Sequence, residues 1–350
     1  TYAPETFGEV GINATAAGFF PSDQCRSFGR ATPKTRSSGE SFQSELKDYI
    51  APFEIELANC SSVEILKVDE DGNPLAGAEF TLSGNGITPK ACTTGNDGIC
   101  TIHDIVPDAD PYTVTETKAP KGYFIDTASK QVTVSAVGVK YEVEFENLLG
   151  SARWEKRDKD GAGTPLLGGA TFVLTATSGE AKELGFGPLT VVDNGQNDAD
   201  ATAGELQVND LPKGNYSVEE TAAPTGFELS TPNPKTFSVS SPSTVTTLTG
   251  TASNTGTAGA FVNPRKTSEL TVKKFNADKT QALNGATFAL YRDTNGTEGL
   301  QQGSDTLVDS CTTAGSGTCS IDGLVWGTYY WVETEPPTGY NFSNTTVQGP

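Results

Sequence analysis

Methionine is absent from this 350-residue chain, and histidine occurs once, as His103. His103 sits in an alternating, strand-like run with no serine or cysteine nucleophile motif around it, so a hydrolase triad has little to build on. Nothing approaches the roughly 18 consecutive apolar residues that a membrane-spanning helix needs. Basic residues are scarce: 24 Lys and Arg stand against 44 Asp and Glu, for a net charge of −20. Nucleic acid and anionic membrane surfaces select for clustered Lys and Arg, so neither is expected as a partner, and the acidity serves solubility and mutual repulsion. No Cys-x-x-Cys knuckle is present, which disfavours zinc. The Asp69-x-Asp71-Gly72-Asn73 run and the stretch from Asp193 to Asp200 lack the glycine and glutamate spacing of a calcium loop and suit ordinary turns. No metal or cofactor is expected. The sequence starts at Thr1 and shows neither a signal peptide nor a sorting signal, as expected of a piece of something longer.

What is abundant is turn and strand chemistry. The 38 Gly and 20 Pro are interleaved with Thr- and Val-rich runs, which predicts an all-β chain of many short strands. The six cysteines form local pairs: Cys25 with Cys60, Cys92 with Cys100, and Cys311 with Cys319. Disulfides in an oxidising, extracellular setting account for them best, with free buried thiols as the alternative. The second and third pairs flank similar turns, so each is expected to pin a hairpin. Phe42 to Ile50, with Ser41 as N-cap, is the one segment with helical character.

A block of signals recurs three times. Each copy opens with a Lys in a β-prone run: Lys67, Lys156 and Lys274. An Asp-, Gly- or Asn-rich turn follows. Next comes Leu-x-Gly-Ala-x-Phe-x-Leu, beginning at Leu75, Leu167 and Leu283. Its Ala, Phe and Leu fall two apart and share one face of a strand, which marks a sandwich core. Then a turn glycine (Gly98, Gly204, Gly317) leads through a short strand into Tyr112-x-Val114-x-Glu116-Thr117, Tyr216-x-Val218-x-Glu220-Thr221 and Tyr329-x-Trp331-x-Glu333-Thr334. The same period points each Glu into the core. Every copy leaves this strand through Pro-x-Gly-Tyr or Pro-x-Gly-Phe. The first two run on to Phe145-x-Asn147 and Phe261-x-Asn263, whereas the third reaches Pro350 without an equivalent Asn. The expected divisions are 1–61, the C-terminal part of an N-terminal domain; 62–149; 150–266; and 267–350, lacking its last strand. The middle copy carries an extended polar loop or extra hairpin near 193–204. Trp154, Trp326 and Trp331 are expected to pack in cores, and Lys235 to be a surface-loop lysine.

A Glu and a Lys both directed into an apolar core need a reason. Burial favours the neutral amine and the protonated carboxyl, which together make a nucleophile beside a proton shuttle. With an Asn amide in reach on the last strand, the amine can attack its carbonyl and expel ammonia, leaving an isopeptide. An ordinary ion pair is the alternative for each Lys and Glu. Recurrence of Lys, Glu and Asn in register favours the cross-link in the first two copies. The bonds would close loops of about 80 and about 107 residues, worth about 4 to 5 kcal/mol each by the chain-entropy model. Such chemistry occurs once per domain, so the chain is not an enzyme in turnover.

The Tyr-x-Val-x-Glu-Thr-x-x-Pro strand resembles the E-box of the collagen-adhesin B-type family, also called SpaA-like or prealbumin-like domains, of Gram-positive pilins and surface adhesins. The Leu-x-Gly-Ala-x-Phe-x-Leu strand is equally typical of it, and the resemblance covers about residues 62–350. It implies three tandem immunoglobulin-like or prealbumin-like β-sandwiches, with Glu116, Glu220 and Glu333 as proton shuttles. Lys67, Lys156 and Lys274 would be amine donors, and Asn147 and Asn263 acceptors. Residues 1–61, through Cys25-x-x-Phe28-Gly29, Lys34-x-Arg36-Ser37-Ser38 and Leu46-Lys47-Asp48-x-Ile50-Ala51-Pro52, are similar to the end of an N-terminal domain that precedes such repeats in actinobacterial surface proteins.

The expected role is an extracellular stalk of a wall-anchored adhesin or pilus, with sortase and the cell wall as partners through a region outside this chain. The rival is a binding module for a host or environmental glycan or matrix protein.

Overall fold

A computed structural model describes residues 12–14, 16–21, 24–32, 34–36, 46–49, 51–248, 259–342 and 347–348. At the N-terminal end, β1 (Ser27–Ala31), β2 (Lys34–Arg36), β3 (Leu46–Tyr49) and β4 (Phe53–Ala58) form two small antiparallel pairs, β1 with β4 and β2 with β3. The expected helix is therefore corrected: Leu46 to Tyr49 are extended and pair with Lys34 to Arg36, while residues 41–45 and 50 lie outside the described ones. A nine-residue segment is too short to hold a helix by propensity alone, so pairing with a distant strand wins. The Cys25–Cys60 disulfide ties this unit to the start of the first repeat.

In the first repeat β5 (Ser61–Val68), β6 (Glu79–Ser83), β7 (Lys90–Thr93), β8 (Ile99–Ile105), β9 (Tyr112–Lys118), β10 (Lys130–Val132) and β11 (Lys140–Glu146) form two sheets, ordered β10-β9-β6-β7 and β11-β5-β8. The last strand β11 runs parallel to the first, β5, and antiparallel pairs make up the rest. The alternating apolar positions face one another across the sandwich: Val63 and Ile65 from β5, Phe80 and Leu82 from β6, Tyr112 and Val114 from β9, and Phe145 from β11.

The second repeat repeats this plan with β12 (Gly150–Asp158), β13 (Thr171–Ser178), a single turn of helix α1 (Glu180–Glu183), β14 (Leu189–Val192), β15 (Glu205–Leu211), β16 (Gly214–Ala222), β17 (Lys235–Val239), β18 (Thr246–Leu248) and β19 (Phe261–Asn263). One sheet is β14-β13-β16-β17. In the other, β12 lies between β15 and a parallel partner split into β18 and β19. Its core is larger, with Trp154 edge-on to Phe172 and Phe172 edge-on to Phe261.

The third repeat has β20 (Thr267–Lys273), β21 (Thr287–Arg292), β22 (Thr306–Thr312), β23 (Thr318–Val325), β24 (Tyr329–Glu335) and β25 (Val347–Gln348), ordered β20-β23 and β22-β21-β24-β25. By register β25 corresponds to β10 and β17: Gln348 opposes Trp331 as Lys130 opposes Val114 and Lys235 opposes Val218. Among the described residues β20 has no parallel neighbour.

In each repeat the first tyrosine of the glutamate strand donates its hydroxyl to a backbone carbonyl a few residues upstream: Tyr112 to Val106, Tyr216 to Pro212, and Tyr329 to Val325. This fixes where the glutamate strand begins. Its far end makes the joint to the next repeat. The Gly122 carbonyl accepts from the Lys213 amide, and its N–H donates to Glu180 at 2.7 Å. Lys121 pairs with Glu183, and Phe124 is buried within the second repeat's core. At the next boundary the Gly226 carbonyl accepts from the Lys266 amide, and Trp326 packs against Gly226.

Candidate cross-link site

Three sequence motifs converge on the backbone of the opening lysine. In all three repeats its amide donates to the turn glycine's carbonyl, from Lys67 to Gly98, Lys156 to Gly204 and Lys274 to Gly317. Its carbonyl accepts from the leucine that starts Leu-x-Gly-Ala, at 2.9 Å each time (Leu75, Leu167, Leu283). A Cβ on Gly98 would meet the Lys67 carbonyl at 2.6 Å, so this close approach requires glycine. The Leu-x-Gly-Ala turn is itself pinned by one buried side chain. Thr94 and Thr313 each accept from the alanine amide and donate to the leucine carbonyl. In the middle repeat Asp193 takes their place, accepting from Gly169 and Gly204. The aspartates near 193–204 are thus turn-locking groups, as is Asp69, which accepts from Asp71 and Asn73.

With the lysine backbone held, its side chain enters the core between the sheets. Lys67, Glu116 and Asn147 are all buried, as are Lys156, Glu220 and Asn263. Phe80 opposes Glu116 and Phe172 opposes Glu220, which places each carboxylate on the core face of the facing sheet. On the last strand Phe145 and Phe261 sit beside Lys67 and Lys156 in parallel register, and the Asn follows two residues on.

In the first repeat Lys67 Nζ lies 3.6 Å from Glu116 Oε1. Asn147 Nδ2 donates to Glu116 Oε2 at 2.8 Å, and the Asp126 amide donates to the same oxygen at 2.6 Å. In the second repeat Lys156 Nζ is 3.2 Å from Glu220 Oε1, Asn263 Nδ2 donates to that oxygen at 2.8 Å, and the Ser230 amide donates to Oε2. Both lysine nitrogens and both asparagine Oδ1 atoms are buried without a hydrogen-bond partner. Burial pulls the Lys67 amine down to about 8, against the charges of Glu116 and Asp126. Lys156 also falls to about 8, driven by burial and opposed by Glu220. Each site thus holds a lysine biased toward its nucleophilic form, a carboxylate touching both partners, and an amide with a free carbonyl oxygen.

Lys274 and Glu333 stand at the same positions in the third repeat. There Lys274 Nζ lies 2.7 Å from both carboxylate oxygens, and its side chain keeps some exposure.

The cysteines pair as expected, but not within hairpins. Cys92 lies on β7 and Cys100 on β8, strands of different sheets, and Cys311 and Cys319 likewise join β22 to β23. Each disulfide staples one sheet to the other. In the middle repeat the corresponding rungs hold Val191, opposite Phe172, and Leu206, opposite Trp154, both fully buried. Two other expectations are corrected. Lys235 is no surface-loop lysine: it lies in β17, is 2% exposed, and has its Nζ 5.3 Å from the centre of the Phe261 ring. Trp154 and Trp331 are buried, but Trp326 is 72% exposed, because its turn faces the joint with the second repeat and not a core.

Paired sandwiches in which the first and last strands run parallel, with a Lys, a Glu and an Asn between them, define a prealbumin-like β-sandwich array. The chain belongs to the SpaA prealbumin-like fold domain family, whose model matches residues 61–148, 150–253 and 268–348. Among solved structures it is similar to the TIE protein of Bacillus anthracis, with 21% identity and a TM-score of 0.55 over 94% of this chain. The match spans 58% of that protein's length. The major pilin BcpA of Bacillus cereus matches at 16% identity and TM-score 0.36, covering 83% of this chain and 91% of that one. The major pilin SpaD of Corynebacterium diphtheriae matches at 17% and 0.28, covering 82% and 90%. No curated protein matches.

Proposed function

We propose that this chain is a load-bearing segment of an extracellular stalk, in a wall-anchored adhesin or a pilus of a Gram-positive cell. Its first two SpaA domains each close an intramolecular Lys–Asn isopeptide bond, between Lys67 and Asn147 and between Lys156 and Asn263. The observation that carries this reading is the repeated burial of a Lys, a Glu and an Asn around one carboxylate, between the first and last strands. The reaction balances as an amide exchange. The neutral Nζ attacks Cγ of the Asn, the Cγ–Nδ2 bond breaks, and the departing nitrogen leaves as ammonia with protons passed through the adjacent Glu carboxyl. Lowering the amine from 10.5 to about 8 raises its neutral fraction at pH 7 roughly 300-fold. Assembly with other subunits, and attachment by a sortase, would involve regions outside this chain.

Joining the first strand to the last places a covalent bond directly on the path of a pulling force. Extension then cannot peel one strand from the other without breaking an amide. The test is the intact mass of the folded protein under reducing conditions, where two bonds remove about 34 Da as two molecules of ammonia. A mass equal to that of the plain sequence overturns the cross-link.

A ligand-binding role finds support in one place, a groove lined by Ile12, Phe19, Phe28 and Leu57 in the N-terminal unit, where these apolar side chains are exposed. Loss of surface adhesion on changing Phe19 and Leu57 to Ser, with the cross-links intact, would favour it.

A further inference from the structure

The strand before the acceptor strand carries a lysine that the cross-link chemistry leaves unused. Lys130 opposes Val114 and Lys235 opposes Val218, the same rung of the glutamate-strand ladder in the two repeats. Lys130 Nζ lies 4.9 Å from the centre of the Phe145 ring, and Lys235 Nζ lies 5.3 Å from that of Phe261. These are the two phenylalanines beside the donor lysines, two residues ahead of the acceptor asparagines on the same strand face. Both rings are fully buried. In each case the lysine belongs to one sheet and the ring to the strand at the matching edge of the other, so no ladder hydrogen bonds join them. Lys130 adds a hydrogen bond to the Glu144 carbonyl on β11. Lys235 has no carboxylate at ion-pair distance among the described residues, although it is almost wholly buried. A cation over a ring face is an attractive contact, and for Lys235 it offsets part of the cost of holding the side chain in the interior.

We propose that Lys130 and Lys235 are positioning residues for the isopeptide reaction, clamping the acceptor strand's phenylalanine across the sandwich edge so that the Asn stays against the carboxylate. This rests on the cross-link reading above. The clamp matters most in the second repeat, where the acceptor strand β19 meets β12 over three residues only, whereas β11 pairs with β5 over seven in the first. In the first repeat the Lys130 charge also adds slightly to the downward push on Lys67, which Glu116 and Asp126 oppose and burial dominates. In the third repeat the matching rung is Gln348, an uncharged residue, and no Phe-x-Asn strand is seen beside β20 among the described residues.

The test follows bond formation in the full chain made by cell-free translation, with aliquots quenched in denaturant and each repeat's bond quantified by peptide mass. Lys235→Met should slow the second bond at least tenfold while leaving the first unchanged, and Lys130→Met should do the converse. Lys130→Arg and Lys235→Arg, which keep a cation for the ring, should restore each rate to within about threefold. Lys130 is exposed, so its replacement does not threaten folding. Wild-type rates in both Met variants overturn the proposal. So does a slowed first bond in Lys130→Met that Lys130→Arg fails to restore, because the cation over the Phe145 ring would then not be the cause. Absence of any bond in the wild-type chain is a different result, and it overturns the cross-link itself.

Discussion

The first and third repeats put the same lysine and glutamate on the same strands, yet the two pairs differ. Where Asn147 is present, the carboxylate accepts from the asparagine and an amide, and Lys67 stands off at 3.6 Å with no hydrogen bond. In the third repeat, where no asparagine lies beside the pair among the described residues, Lys274 closes to 2.7 Å and forms a plain ion pair. The two repeats thus show, within the same molecule, the Lys and Glu with and without an observed asparagine on the carboxylate. An asparagine changes the site by competing for the carboxylate and leaving the amine without a partner. The middle repeat differs along another line: it does without the disulfide and fills the gap between sheets with Val191 and Leu206.

The largest effect should come from making the first repeats resemble the third. On the proposed cross-link, Asn147→Ala and Asn263→Ala should each remove one bond, seen as about 17 Da of retained mass, and each should cost about 4 to 5 kcal/mol of stability in denaturant unfolding. If stability is unchanged while the mass shifts, the bonds serve only mechanical loading.

A smaller effect tests the staple. Cys92→Ser with Cys100→Ser should cost about 2 to 3 kcal/mol, and Cys92→Val with Cys100→Leu, copying the middle repeat, should recover part of it. Equal losses in the two double variants would show that Val191 and Leu206 are no substitute for the disulfide. Asp193→Ala strands the Gly169 and Gly204 amides and should cost about 1 to 3 kcal/mol, as should Thr94→Val in the first repeat.

The smallest effect lies at the joint between the first two repeats. There Glu70 is pushed up to about 7, first by sharing a proton with Asp210, then by burial and by the charges of Asp210, Asp71 and Asp69. An acid whose folded pKa is raised binds more protons folded than unfolded, so this contact weakens as pH rises from about 4.5 to about 7. Glu70→Gln should flatten the pH dependence of melting between pH 5 and pH 8. An unchanged profile would place the pH response elsewhere.

Much of the site was legible because it obeys period two. Phe80, Glu116 and Phe145 each occupy a core-facing position that strand alternation alone assigns, and a buried charge announces itself in such a pattern. Lys130 and Lys235 were not legible, since their partner rings lie on another sheet and no local spacing records a contact across a sandwich edge. The disulfides were legible as pairs but not as links between sheets, because cysteines eight positions apart across a turn fit a hairpin equally well. The helix assigned to 42–50 failed where local propensity met a strand partner some dozen residues upstream. Trp326 failed because a turn that faces a neighbouring repeat looks, in one dimension, like any other.

The joints give the array a property that no single repeat has. The carbonyl of Gly122 accepts from the Lys213 amide of the second repeat, and that of Gly226 accepts from Lys266, the residue just before the third repeat's first strand. Phe124 further plugs into the second core at the first joint, and the Trp326 ring lies on Gly226 at the second. Contacts off the chain axis resist swivelling as well as bending. In the stalk proposed above, such joints would transmit torque, so a group carried at one end would be held at a set azimuth relative to the other and not merely at a set distance.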